Sequence, residues 1–78
     1  MDRSLIKKIM TIMAAIGKVE YRMHDKFIGL YRDGILFAKV QVEGLYLLND
    51  KNTFIKIDKK EDIKDKLKQA YNVALVYA

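Results

Sequence analysis

A single histidine, His24, and a complete lack of cysteine limit the chemistry open to this chain. Tetrahedral zinc sites are built from sets of Cys and His ligands, and no such set can be assembled here, so no metal ligand is expected. Asp25 follows His24, but neighbours within a turn rarely converge on one proton, and no nucleophile is indicated beside them. His24 therefore reads as a solvated turn residue. No pair of carboxylates falls in an expected cleft. The four glycines, Gly17, Gly29, Gly34 and Gly44, are dispersed among a helix end, a strand and turns, so they form no phosphate-cradling loop. The expectation is a protein without catalytic residues, cofactor or small-molecule substrate. Tyr21, Tyr31, Tyr46, Tyr71 and Tyr77 could stack bases, as in sheets that bind single strands. Tyr21 and Tyr31 are instead expected to pack their rings and leave their hydroxyls at the rim.

Elements must position whatever function remains. The 78 residues are expected to form one domain, 1–78, near the small end of what folds alone. A core of this size rarely supplies more than roughly 3–5 kcal/mol unaided, so self-association would add stability. No apolar run approaches the ~20 residues that cross a bilayer. Residues 1–17 carry Lys7 and Lys8 inside their apolar stretch and repeat at helical spacing, which reads as a structural helix and not as a signal peptide. No membrane association is expected. A chain without cysteine suits a reducing cytoplasm.

Helical spacing of Leu5, Ile9, Ile12, Met13 and Ile16 predicts a helix over 4–16, with Ser4 as N-cap and Gly17 as a left-handed stop. Met10 and Met13 are expected to fill gaps in the core. Alternation predicts strands over 18–23, 27–32, 35–42, 45–48 and 53–57. Asp33-Gly34 is a strong two-residue hairpin signal, and Glu43-Gly44 a weaker one. Asp58, with Glu61 three positions on, is the expected cap of a second helix bearing Ile63, Leu67, Ala70 and Tyr71. Asn72 would end it, and the apolar run 73–77 would form a last, internal strand. The fold class is thus α+β: a two-layer sandwich with an antiparallel sheet of four or five strands, an N-terminal helix and a second helix near the C-terminus.

Counting through the Asp33-Gly34 turn assigns faces. Phe27, Gly29, Tyr31, Leu36, Ala38, Val40, Val42, Leu45 and Leu47 share one apolar face, expected to receive the helices. Ile28, Leu30, Ile35, Phe37, Tyr46 and Leu48 share the other, with Arg32, Lys39 and Gln41. So much apolar surface in water would mark an interaction site, and these six residues are the candidate face for a partner or a second copy. A one-residue slip would exchange the faces.

The formal charge is +5, carried by the flanks: residues 1–26 hold six Lys/Arg against three Asp/Glu, 27–50 two against three, and 51–78 seven against four. Such a field attracts polyanions. Lys59, Lys60, Lys64 and Lys68 are the candidate nucleic-acid contacts, although Glu61, Asp62 and Asp65 dilute them and such runs are commonly a solvated helix surface.

Gly17, Val19, Arg22, Gly29-Leu30-Tyr31, Asp33-Gly34, Phe37-Ala38 and Leu45-Tyr46-Leu47 also form an ordered pattern. In it, residues 17–47 resemble the N-terminal domain of the TfoX/Sxy family, bacterial regulators of DNA-transformation competence. His24-Asp25-Lys26-Phe27 stands where that family has a Met-Phe-Gly-Gly-like turn, and Leu48 replaces its usual basic residue. From Lys51 onward the match is poor, and the second, helical domain of full-length members has no counterpart in these residues. The resemblance implies a two-layer fold similar to secretion-chaperone-like domains, a regulatory or protein-interaction role, and no catalysis. Two readings follow. The first is an interaction module that binds a protein partner or itself through the sheet. The alternative is a small basic nucleic-acid-binding domain that uses its lysine-rich flanks.

Overall fold

The computed structural model describes residues 3–58 and 62–77. Helix α1 (Arg3–Ile16) leads into five strands, β1 (Glu20–Met23), β2 (Ile28–Arg32), β3 (Ile35–Gln41), β4 (Gly44–Leu48) and β5 (Phe54–Lys56), and helix α2 (Ile63–Tyr77) follows. The strands form one antiparallel sheet in the order β1-β2-β3-β4-β5. Each strand pairs with its sequence neighbour, so short turns suffice to connect them. Helix α2 lies over β3 and β4, and α1 packs beside it. The α+β sandwich expected from the sequence is therefore present.

The hairpin at Asp33-Gly34 forms where expected. Asp33 and Gly34 take φ of 49° and 83°, the paired positive values of a type I′ turn. The next turn sits one residue earlier than Glu43-Gly44 suggested: Gln41 pairs with Gly44, which leaves Val42-Glu43 at the bend. Val42, expected in the core, is exposed there.

One bulge decides the faces. Arg32 pairs with Ile35 and Tyr31 with Leu36, but Leu30 then pairs with Ala38, not with Phe37. Phe37 is the extra residue on β3. A bulge of this kind shifts the alternation of one strand against the other, so Phe37 and Ala38 both turn toward the helices. Leu30, Phe37 and Ala38 are fully buried, with Val40, Leu45 and Leu47 close to it. Phe27, Gly29, Tyr31 and Leu36 fall on the side away from the helices. The candidate partner face is thereby corrected: Leu30 and Phe37 belong to the core, Leu48 is also buried, and Ile28 and Ile35 are half-buried against the same cluster. Of those six residues, Tyr46, opposite Lys39, and Leu48, buried opposite Phe54, keep the register of the open side.

The second helix also departs from expectation. Asp62 caps it, where Asp58 was expected; Glu61, the other half of that expected box, lies outside the described residues. The Asp62 Oδ1 accepts from the Lys64 and Asp65 backbone N–H groups at 3.1 and 3.4 Å, the pattern that satisfies the first free donors of a helix. The helix then continues past Asn72 to Tyr77, so the expected last strand over 73–77 is absent. The reason is periodicity. Leu67, Ala70, Tyr71 and Ala74 are all buried and continue one helical stripe. Leu75 and Val76, whose apolarity suggested an internal strand, point outward and are exposed. The Tyr77 hydroxyl donates to the Asp50 carbonyl at 2.9 Å and ties the last turn to the β4–β5 connection.

Tyr71 joins the layers. Its ring meets Phe37 edge-on, with centroids 5.5 Å apart, a favoured aromatic geometry. The Arg32 guanidinium lies 3.9 Å from the Tyr71 ring centre and donates to the Tyr71 carbonyl. The Tyr71 hydroxyl donates to the Lys18 carbonyl at 3.2 Å. Gly17, expected as a left-handed stop, lies outside the left-handed region and serves a different need. A Cβ there would overlap the Tyr71 hydroxyl oxygen and sit 2.8 Å from its Cζ. Alanine at an unstrained glycine normally stabilises by about 0.4–1 kcal/mol. Gly17→Ala should instead destabilise by about 1–3 kcal/mol, the usual cost of overpacking, because Tyr71 is pinned on three sides. Urea denaturation of the variant measures the sign directly.

In the helices, Ile9 and Met13 are buried while Met10 is half exposed, so only one of the two methionines fills the core. Tyr21 on edge strand β1 is partly covered, and that burial raises its phenol above the usual 10.0.

Candidate functional site: the open face of the sheet

The sheet has one side under the helices and one side without them. Register places the same side chains on the open side strand by strand. Arg22 pairs with Gly29 and Glu20 with Tyr31 across β1 and β2, Lys39 pairs with Tyr46 across β3 and β4, and Tyr46 pairs with Lys56 across β4 and β5. Phe54, two positions before Lys56, and Phe27, two before Gly29, join them by alternation.

The contacts agree with this placement. The Lys39 ammonium lies 5.3 Å from the Phe27 ring centre and 4.5 Å from that of Phe54. The Arg22 guanidinium lies 4.7 Å from the Tyr31 ring centre. All three distances are within the ~6 Å reach of cation–π attraction. His24 stacks on Phe27 with centroids 4.4 Å apart and planes 22° apart, and its Nε2 is 2.8 Å from the Tyr31 hydroxyl. His24 is thus exposed, as expected, but belongs to an aromatic cluster instead of standing alone in solvent. Gly29 makes room for this cluster: a Cβ there would sit 2.8 Å from a Tyr31 ring carbon and 3.0 Å from Leu36 Cδ1.

The electrostatics are one-sided. Arg22, Lys39 and Lys56 are the cations on the strands of this face. Glu20 is the carboxylate among them, and its Oε2 accepts from the Arg22 guanidinium at 3.2 Å. Glu20 and this hydrogen bond raise the Arg22 pKa. Both partners are largely exposed, and such pairs add little to stability.

The other candidates fall elsewhere. Lys64 and Lys68 are exposed on α2, on the opposite side of the molecule from the open face, and Lys59 and Lys60 lie outside the described residues. Among the described residues, no group of three or more His, Cys, Asp or Glu is placed to hold a metal ion, and no helix is long and apolar enough to cross a membrane. The open face carries no local signature, because its members are spread over residues 20–56 and meet only through the register. The available clue was the spacing of aromatic and basic residues at alternate positions on neighbouring strands.

Fold and face together define a small α+β module with a meandering five-stranded sheet, helices on one side and an aromatic–basic surface on the other. No family model, curated protein or solved structure matches the chain.

Proposed function

We propose that this protein is a non-catalytic regulatory module that works by binding through the open face of its sheet. The observation that carries the reading is the Phe27–Lys39–Phe54 arrangement, flanked by Arg22 on Tyr31 and by Tyr46. Aromatic rings left partly uncovered on or beside β2, β4 and β5 form a surface turned away from the helices, and such surfaces mark interaction sites. The TfoX/Sxy-like pattern in residues 17–47 supports a regulatory role in competence for DNA uptake, in the cytoplasm. The pattern and the face overlap: Arg22, Tyr31 and Tyr46 belong to both.

The test is genetic and has two arms. Deleting the gene in its host should lower natural transformation. Exchanging the chromosomal copy for Lys39→Glu/Lys56→Glu should reproduce the deletion while the protein still accumulates and folds. Lys64→Glu/Lys68→Glu, on the helix side, should behave as wild type. Unchanged transformation in the deletion strain would remove the competence reading. A deletion defect that the Lys39→Glu/Lys56→Glu chain fully restores would remove the sheet face as the working surface.

A further inference from the structure

We infer that the occupant of the open sheet face is an unpaired strand of nucleic acid, its bases stacked on the aromatic rings and its phosphates held by Arg22, Lys39 and Lys56. This rests on the proposal that the face is the working surface, and it names the partner. Three observations point the same way.

The first is composition. Surfaces that bind single strands without sequence preference combine aromatic platforms with a cationic track. Here Phe27, Tyr31, Tyr46 and Phe54 alternate with Arg22, Lys39 and Lys56 across the sheet. The Phe27 and Phe54 ring centres lie within about 10 Å of each other, since Lys39 reaches 5.3 Å from one and 4.5 Å from the other.

The second is the present use of the rings. Tyr31 carries the chain's own Arg22, and Phe27 and Phe54 share Lys39. An arriving base can take a cation's place on a ring while that cation moves to an adjoining phosphate. Stacking then replaces one ring contact with another, and a charge-assisted bond is added. The long stems of Lys39 and Lys56 allow the movement.

The third excludes the main competitor. Lysine is depleted from the cores of protein–protein interfaces, yet Lys39 stands on β3, the middle strand of five. A second copy packed face to face would set cation against cation near the centre, and like charges so placed disfavour association. A polyanion meets the same group favourably. The lysines of α2 lack this arrangement. Lys64 and Lys68 are on a helix surface whose neighbours include Asp62 and Asp65, and no aromatic side chain of the open face is beside them.

Fluorescence anisotropy of the full chain with a labelled oligo(dT) strand tests the inference, with an oligo(rU) strand and a DNA duplex as parallel arms. Binding should weaken about twentyfold for a fourfold rise in salt, the response of some three phosphate contacts on a single strand. Phe54→Ala and Tyr46→Ala should each weaken it about tenfold or more, the scale of one lost stacking contact. Lys39→Glu should do the same without removing a ring, which guards against a variant that merely fails to fold. Lys64→Glu/Lys68→Glu should change it less than threefold. The duplex should bind more weakly than the strand, because pairing hides the base faces. Binding of either single strand supports the inference, and the tighter arm identifies DNA or RNA as its source. Absent binding at low salt would overturn it. So would equal affinity for duplex, loss of binding in the α2 variant alone, or concentration-dependent self-association abolished by Tyr46→Ala. If the oligonucleotide fails while the Lys39→Glu/Lys56→Glu strain still behaves as the deletion, the face keeps its role and only the partner is wrong.

Discussion

Phe37→Ala should lower stability by about 3–5 kcal/mol, the usual cost of emptying a buried aromatic site. Phe37 is fully buried among Leu30, Leu67 and Tyr71, and its ring is the extra residue that the β2–β3 bulge turns inward. A domain of this length has only some 4–12 kcal/mol in total, at about 0.05–0.15 kcal/mol per residue. The variant should therefore be partly unfolded at room temperature, or melt about 4–8 °C lower for every kcal/mol lost. Thermal and urea denaturation measure this. The loss should not depend on protein concentration, because the ring serves its own chain. A concentration-dependent loss would mean that Phe37 acts between copies, as the alternation read without the bulge suggests.

Tyr71→Ala should be comparably damaging, again by about 3–5 kcal/mol. It removes the ring that packs on Phe37, carries the Arg32 guanidinium and fills the space left by Gly17. Tyr71→Phe isolates the hydroxyl. It loses only the hydrogen bond to the Lys18 carbonyl, worth about 1 kcal/mol. The two sites should also be coupled. The penalty of Gly17→Ala should shrink in the Tyr71→Phe background, since the hydroxyl oxygen is the atom nearest the added Cβ. A double-mutant cycle reads this coupling, and strict additivity would show that Gly17 serves the backbone and not Tyr71.

Much of the fold was legible in the residues themselves. The Asp33-Gly34 turn, the apolar stripe of α1 and the strand alternation each carry a local physical signal, and each produced its element. The misassignments share a cause, which is that a local pattern has more than one reading. Residues 73–77 are apolar throughout, so alternation and periodicity cannot separate a buried strand from a helix within them. Only the stripe running from Leu67 through Ala70 and Tyr71 to Ala74 decides, and it crosses Asn72. The faces of β2 and β3 were misread because one bulge changes the count. Neither Leu36, Phe37 nor Ala38 announces it, yet it brings Leu30 and Phe37 to the same side as Ala38 and Val40. The open site was hidden for the same reason: Phe27 and Tyr31 were counted toward the helices until the bulge placed them with Lys39 and Tyr46.

Which side of the sheet faces water is the claim from which the rest follows, and thiol labelling tests it most directly because the chain has no cysteine of its own. Single substitutions Lys39→Cys and Tyr46→Cys should react quickly with a thiol reagent under native conditions. Ala38→Cys and Val40→Cys, one residue away along β3, should stay protected until the protein is unfolded. Fast labelling at positions 38 and 40 with protection at 39 and 46 would show the aromatic–basic side turned inward, and would contradict the account.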